Sequence, residues 1–249
     1  MNTPLPRSSR QSAFTLIELL VVIVIIAILA TAAFPIYQII KEKANSSNSR
    51  TNLRSIGQTL ALYQGRNNLC YPAIEGDSEI PELDNWVSEL VVTLNPNQTL
   101  DELIAAPPTE TFVAQGLRWK SSGGFYDDKD LINTYAATEA LAGLDENRTP
   151  DPELKRRVAT IERSSETIIL IEAKQAGSNP FCEPWLDWNT ASADFGLPPA
   201  DTQSIDLRYS DEVNVLFADG RTISMDAEEL SKLEEWNWSG NNYPEDYSR

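Results

Sequence analysis

Few residues in this 249-residue chain could do chemistry, and one type is missing altogether: there is no histidine. That absence removes Ser-His-Asp and Cys-His nucleophile activation and the His-Glu-x-x-His zinc motif. It also removes the side chain most readily tuned to take a proton near neutral pH. Carboxylate-only or lysine-based catalysis remains open. Nothing singles out an acid pair for glycoside hydrolysis, however, and no P-loop or dinucleotide fingerprint occurs. The chain is therefore expected to be a non-enzyme. Two cysteines, Cys70 and Cys182, could close one disulfide in an oxidising compartment or stay separate thiols, and spacing does not choose. Trp185 and Trp188 lie in NPFCEPWLDWN, and Trp236 and Trp238 in EEWNWSGNNYPEDY. Rings beside Asp and Asn suit stacking on a sugar, and they suit a core or a subunit contact equally well. Asp187, Asp194, Asp201, Asp206 and Asp211 could offer hard oxygen ligands to calcium. They lack EF-hand spacing and read equally as a solvated acidic face.

The most pointed signal is Glu18. It begins a run from Leu19 to Ile40, 22 residues without a charged side chain. At 1.5 Å per residue such a helix spans the ~30 Å hydrocarbon core of a bilayer. A carboxylate at the centre of a membrane helix costs about 2.5–3.5 kcal/mol on insertion scales, so its presence asks for a reason. Before it lies a polar stretch, MNTPLPRSSRQSA, carrying Arg7 and Arg10 and no acid. Three readings fit. One is a secretory signal peptide cut near Ala30-Thr31-Ala32. Another is a plain signal anchor. The third is a leader removed just ahead of the apolar run.

The third rests on likeness. The string Ala13-Phe14-Thr15-Leu16-Ile17-Glu18-Leu19, with its basic leader, spanning run and Pro35, resembles the leader junction of type IV prepilins and type II secretion pseudopilins. The resemblance implies cleavage between Ala13 and Phe14 by a prepilin peptidase, followed by N-methylation of Phe14. The family prefers Gly before the cut, where this chain has Ala13. Counted from Phe14, Glu18 is the fifth mature residue and Pro35 the twenty-second, as in the family. There the glutamate is thought to pair with the N-terminal amine of a neighbouring subunit during filament assembly. An opposite charge lowers the cost of a carboxylate in lipid. Some pseudopilins hold calcium in the C-terminal region, which is the one cofactor the resemblance brings into view.

These residues need elements to carry them. Leu53, Ile56, Leu60 and Tyr63 fall on one helical stripe, with Lys41, Arg50 and Arg54 largely off it. One long helix is thus predicted from Phe14 to about Gly65. Residues 14–40 would form its membrane half and residues 41–66 its amphipathic half, docked on a sheet. Pro35 removes the bond to the Thr31 carbonyl and is expected to bend it. Residues 81–106 read as two short helices. The first is capped by Asp84 and carries Trp86, Val87, Leu90, Val91 and Leu94 on one side. The second opens on the capping box Thr99-x-x-Glu102. Residues 107–130 and 177–203 read as loops, with a short charged segment near 150–157. Thr167 to Ala173 is a buried-strand signal. Val213–Ala218 and Arg221–Met225 form a hairpin about Asp219-Gly220, read as a two-residue turn. Asp226-x-x-Glu229 then caps a closing helix bearing Leu230, Leu233 and Trp236.

The C-terminal part resembles a branch of large prepilin-like proteins with a His, nine residues, then Asp-Gly. Here Tyr209 stands where that histidine would, followed by Asp219-Gly220. The expected architecture is α+β: a cleaved leader (1–13), a long membrane-spanning helix, and an extracytoplasmic head (67–249) with an antiparallel sheet. The expected role is a structural subunit of a type II secretion or type IV pilus-type filament. Its expected partners are the prepilin peptidase, other pilin-like subunits and an inner-membrane assembly platform. It would be a single-pass bacterial inner-membrane protein with its head in the periplasm or on a surface filament. The alternative is a membrane-anchored extracytoplasmic carbohydrate-binding protein using the Trp loops. A net charge of −17 argues against nucleic acid, whose phosphates it would repel.

Overall fold

The computed structural model describes residues 16–74, 86–97, 134–144, 150–174, 185–186, 204–234, 237–238 and 240. The chain divides into two compact units, Met1–Lys41 and Glu42–Arg249. The predicted long helix is present as α1 (Leu16–Arg66), 51 residues, running unbroken through Pro35.

In the first unit α1 is apolar all round. The large hydrophobic side chains from Leu16 to Ile40 are all exposed. Among the described residues α1 is the helix long and apolar enough to cross a membrane. Its many β-branched residues are weak helix formers in water. In lipid the backbone must satisfy its own hydrogen bonds, which favours the helix. The Thr31 hydroxyl donates to the Ile28 carbonyl at 2.8 Å, one turn before Pro35.

The second unit is built on a mostly antiparallel sheet. Its strands are β1 (Tyr135–Thr138), β4 (Ile168–Lys174), β5 (Trp185–Leu186), β6 (Ser204–Ile205), β7 (Glu212–Phe217) and β8 (Thr222–Asp226). The order is β5-β1-β4-β7-β8, with β6 pairing the far end of β4. The antiparallel sheet expected is present, with a parallel β1–β5 pair at its edge. A separate ribbon joins β2 (Ala142–Leu144) to β3 (Pro150–Lys155).

The predicted stripe docks as expected. Leu53, Ile56, Leu60 and Tyr63 are buried, and they share one core with α2 (Trp86–Leu94), Tyr135, Ala137 and Leu216. Gly57 lets α1 come close to β7, because a Cβ there would meet the Leu216 side chain at 3.3 Å. On α2, Trp86, Val87, Leu90 and Val91 are buried as anticipated, while Leu94 is exposed. The opposite face of the sheet holds a second core of Ile168, Ile171, Val213, Val215, Phe217, Met225, Leu230 and Trp238.

Two local readings need correction. The Asp219-Gly220 turn is a three-residue loop, Ala218 to Gly220. The Phe217 amide donates to the Arg221 carbonyl at 2.8 Å, and the Gly220 amide donates to Phe217 at 2.9 Å. Only Gly220 takes a positive φ (86°), the pattern of a type I turn closed by a left-handed residue. The charged segment near 150–157 is largely strand β3. Its prolines at 150 and 152 argue against a central strand, but β3 lies in a two-stranded ribbon, where such residues are tolerated. The cap at Asp226 is as predicted. Its carboxylate accepts from the Glu229 amide at 2.8 Å, and Glu229 returns the bond to the Asp226 amide at 3.1 Å, opening α3 (Ala227–Leu230).

Candidate functional site

The residues singled out in the sequence fall into two groups, one on each unit. Glu18 lies in the first turn of α1, exposed between Ile17 and Leu19. The large hydrophobic side chains that follow it on the helix, from Leu19 to Ile40, are exposed. Ala13 and Phe14 lie outside the described residues.

In the second unit Tyr209 is buried and forms an antiparallel bridge with Glu212 ahead of β7. Its hydroxyl lies by Ser49 and Glu172. Asp219 is exposed, and its carboxylate accepts from the Arg221 amide at 2.9 Å. The turn is tied to the segment before β4. The Asp219 amide donates to Ser164 at 3.1 Å, and the Arg221 guanidinium donates to Ser165 at 2.6 Å while lying over the Phe217 ring at 3.9 Å. Tyr209 and Asp219-Gly220 thus serve opposite ends of β7, one at its buried polar start and the other at its tip.

The binding candidates fare unequally. Trp238 is wholly buried in the second core, where no sugar could stack on it. Trp185 lies on β5, so part of the predicted 177–203 loop is strand. Trp188 and Trp236 lie outside the described residues, as do Asp187, Asp194 and Asp201. Asp206 forms an ion pair with Arg208, and Asp211 sits in an exposed turn with φ 66°. Among the described residues no three acids or cysteines gather as a metal would require. Cys70 is a half-buried free thiol, and Cys182 lies outside the described residues.

The most organised polar site was not anticipated. Glu172 lies on the helix-facing side of β4, wholly buried. Tyr135 of β1 stands directly opposite it, and Asn214 of β7 pairs with Ser224 of β8. These four form a polar row across the sheet. α1 answers with Ser46 and Ser49, both buried. The Ser49 hydroxyl donates to Glu172 Oε1 and lies 2.7 Å from the Tyr135 hydroxyl. The Asn214 amide donates to Glu172 Oε2 at 2.8 Å. Asn214 Oδ1 accepts from Ser46 at 3.3 Å and from Ser224 at 2.8 Å. Burial pushes the Glu172 carboxyl above the usual glutamate range, against the pull of Ser49, the Arg208 charge and Asn214. Burial and the nearby carboxylate likewise push the Tyr135 and Tyr209 phenols up. A signal existed in the sequence. The helix stripe extends backwards as Glu42, Ser46 and Ser49 with the same three-and-four spacing, and Glu172 interrupts an otherwise apolar strand.

Comparison with known proteins places one segment. Residues 8–34 match the family model described as the prokaryotic N-terminal methylation motif. No curated protein matches the chain, and no solved structure does. The matched segment covers the Ala13-Phe14 junction, Glu18 and most of the apolar run. It is a type IV pilin-like leader, which implies processing by a prepilin peptidase, and it runs into α1, among the described residues the helix long and apolar enough to cross a membrane.

Proposed function

We propose that this chain is a non-enzymatic structural subunit, a pseudopilin or minor pilin, of a type II secretion or type IV pilus-type filament. The observation that carries it is the methylation motif at residues 8–34 with Glu18 inside it, on a helix whose large hydrophobic side chains from Leu16 to Ile40 are all exposed. A helix of this kind with one carboxylate has two ways to lower its cost: lipid anchoring for the hydrocarbon, and a cationic partner for the acid. Removal of residues 1–13 would create such a cation, the amine of Phe14, on each neighbouring copy or relative. Joining subunits would then set that amine beside the Glu18 carboxylate, and the inner-membrane assembly platform would supply the ordered addition. The head would lie on the extracytoplasmic side, as in other proteins with this leader. The carbohydrate-binding alternative loses one of its four rings, since Trp238 is core.

The test is Glu18→Ala in the native host, scored for membrane insertion and for cross-linking into filament-sized species. Insertion should be retained and cross-linking should fall at least about tenfold, the loss expected when a charge pair worth over 1.4 kcal/mol is removed. Undiminished incorporation would count against the proposal.

A further inference from the structure

We propose that Glu172 is a proton-operated latch clamping the Glu42–Asn52 stretch of α1 onto the sheet, closed with the proton bound and loosened without it.

The seam between α1 and the sheet has two chemically different halves. From Leu53 to Tyr63 the buried side chains of the helix stripe are hydrophobic apart from Thr59, whose hydroxyl bonds back to the Ser55 carbonyl within the helix. From Glu42 to Ser49 every stripe position is polar. Glu42 accepts from Ser210 at 2.6 Å, Ser46 bonds Asn214, and Ser49 bonds Glu172. The first half is held by burial of hydrocarbon, which is indifferent to pH. The second half is held by hydrogen bonds: Glu42 is held by Ser210, while that of Ser49 directly and that of Ser46 through Asn214 lead to the Glu172 carboxyl group.

That carboxyl group has no ion-pair partner among the described residues. The groups that bond it are the Ser49 hydroxyl, the backbone and side chain of Asn214, and the Tyr209 phenol beside it, all neutral. Arg208, the nearby charge that acts on it, is bonded instead to Asp206. A buried carboxylate without a bonded cation is costly, and the usual relief is a proton or water.

The geometry accommodates the proton. A hydrogen on Oε1 would point to the Ser49 oxygen, while Oε2 keeps the Asn214 amide. Ser49 would then turn its own hydrogen to a carbonyl of the preceding helical turn, a bond that helical serines make readily. Without the proton, water is a source of relief, and Ser46 and Ser49 cover Glu172 on the helix side, so their movement off the sheet would admit it.

Four elements and segments pack on Glu172: α1, β1, β7 and the segment before β7. α1 presents Ser46, Ser49 and Asn52, none of which titrates. β7 presents Asn214. The titratable groups are Tyr135 from β1, and Tyr209, Arg208 and its ion-pair partner Asp206 from the segment before β7, with Glu42 at the start of the clamped stretch bonded to Ser210. The two phenols and the guanidinium are all raised, so each keeps its proton while Glu172 changes state.

The test is hydrogen exchange followed by mass spectrometry on the full-length chain in detergent micelles, corrected for the intrinsic pH dependence of exchange. From mildly acidic to mildly alkaline pH, protection of residues 43–52 should fall by roughly tenfold or more, while residues 56–63 stay protected. Glu172→Gln imitates the protonated acid, and its protection should be flat with pH. Flat protection in the wild type would overturn the latch, and so would loss of both halves together. Should the variant fail to fold, infrared spectroscopy of the wild type decides. A protonated carboxyl band that persists above the usual glutamate range and vanishes as residues 43–52 open supports the latch. A head whose acids are all ionised while the seam is closed refutes it.

Discussion

At Glu172 two oxygens receive hydrogen bonds from both a helix and a neighbouring strand, in a place no water reaches. Folding raises the affinity of this acid for its proton, chiefly by burial. The proton-linked stability is therefore fully present below the unfolded-state pKa and is lost as pH rises through the higher folded-state value. Measured by thermal denaturation, the wild-type head is predicted to lose stability relative to Glu172→Gln from the ordinary glutamate range upward. A gap between the two that closes as pH rises would have the wrong sign. Gly220 carries a different kind of constraint. Its φ of 86° suits glycine and strains any residue with a Cβ, although open space surrounds it. Gly220→Ala is predicted to cost about 1–2 kcal/mol in denaturant titration, the left-handed penalty of an L-residue. A neutral substitution would show that the turn relaxes into another form.

Among the elements, α1 and the β7–β8 hairpin were legible in the sequence because each repeats a simple signal. The helix spaces Leu53, Ile56, Leu60 and Tyr63 by threes and fours, and all four are buried. Ile56→Ala is predicted to destabilise the head by about 2–5 kcal/mol through lost burial and the cavity left behind. A loss well under 1 kcal/mol would mean that the stripe is not docked. The cap at Asp226 was readable from four residues alone. Asp226→Ala should cost about 1 kcal/mol, because it removes the acceptor for the Glu229 amide. Strand β1 was not legible: Tyr-Ala-Ala-Thr has little β-branched character, and the pairing with β4 supplies what propensity lacks. Strand β3 was hidden by its prolines. The polar row was missed for a related reason. Serines on a helix and one glutamate in a strand look like solvated residues until the register sets Tyr135 opposite Glu172.

On the scale of the whole chain, the two units were read by different means. The N-terminal unit declares itself by composition, length and the placement of one acid, so a pilin-like leader and an apolar helix of membrane-spanning length were legible from a short segment. The head declares only its packing, because its polar site depends on strand order that no local pattern encodes. The filament role hangs on the leader being cut ahead of Phe14, since that step makes the amine that Glu18 would meet. The most direct measurement is therefore intact-mass and N-terminal analysis of the protein from its native membrane. A mature chain beginning at N-methylated Phe14 is the predicted result. A chain beginning near Ala33, or one retaining Met1 through Ala13, would contradict it.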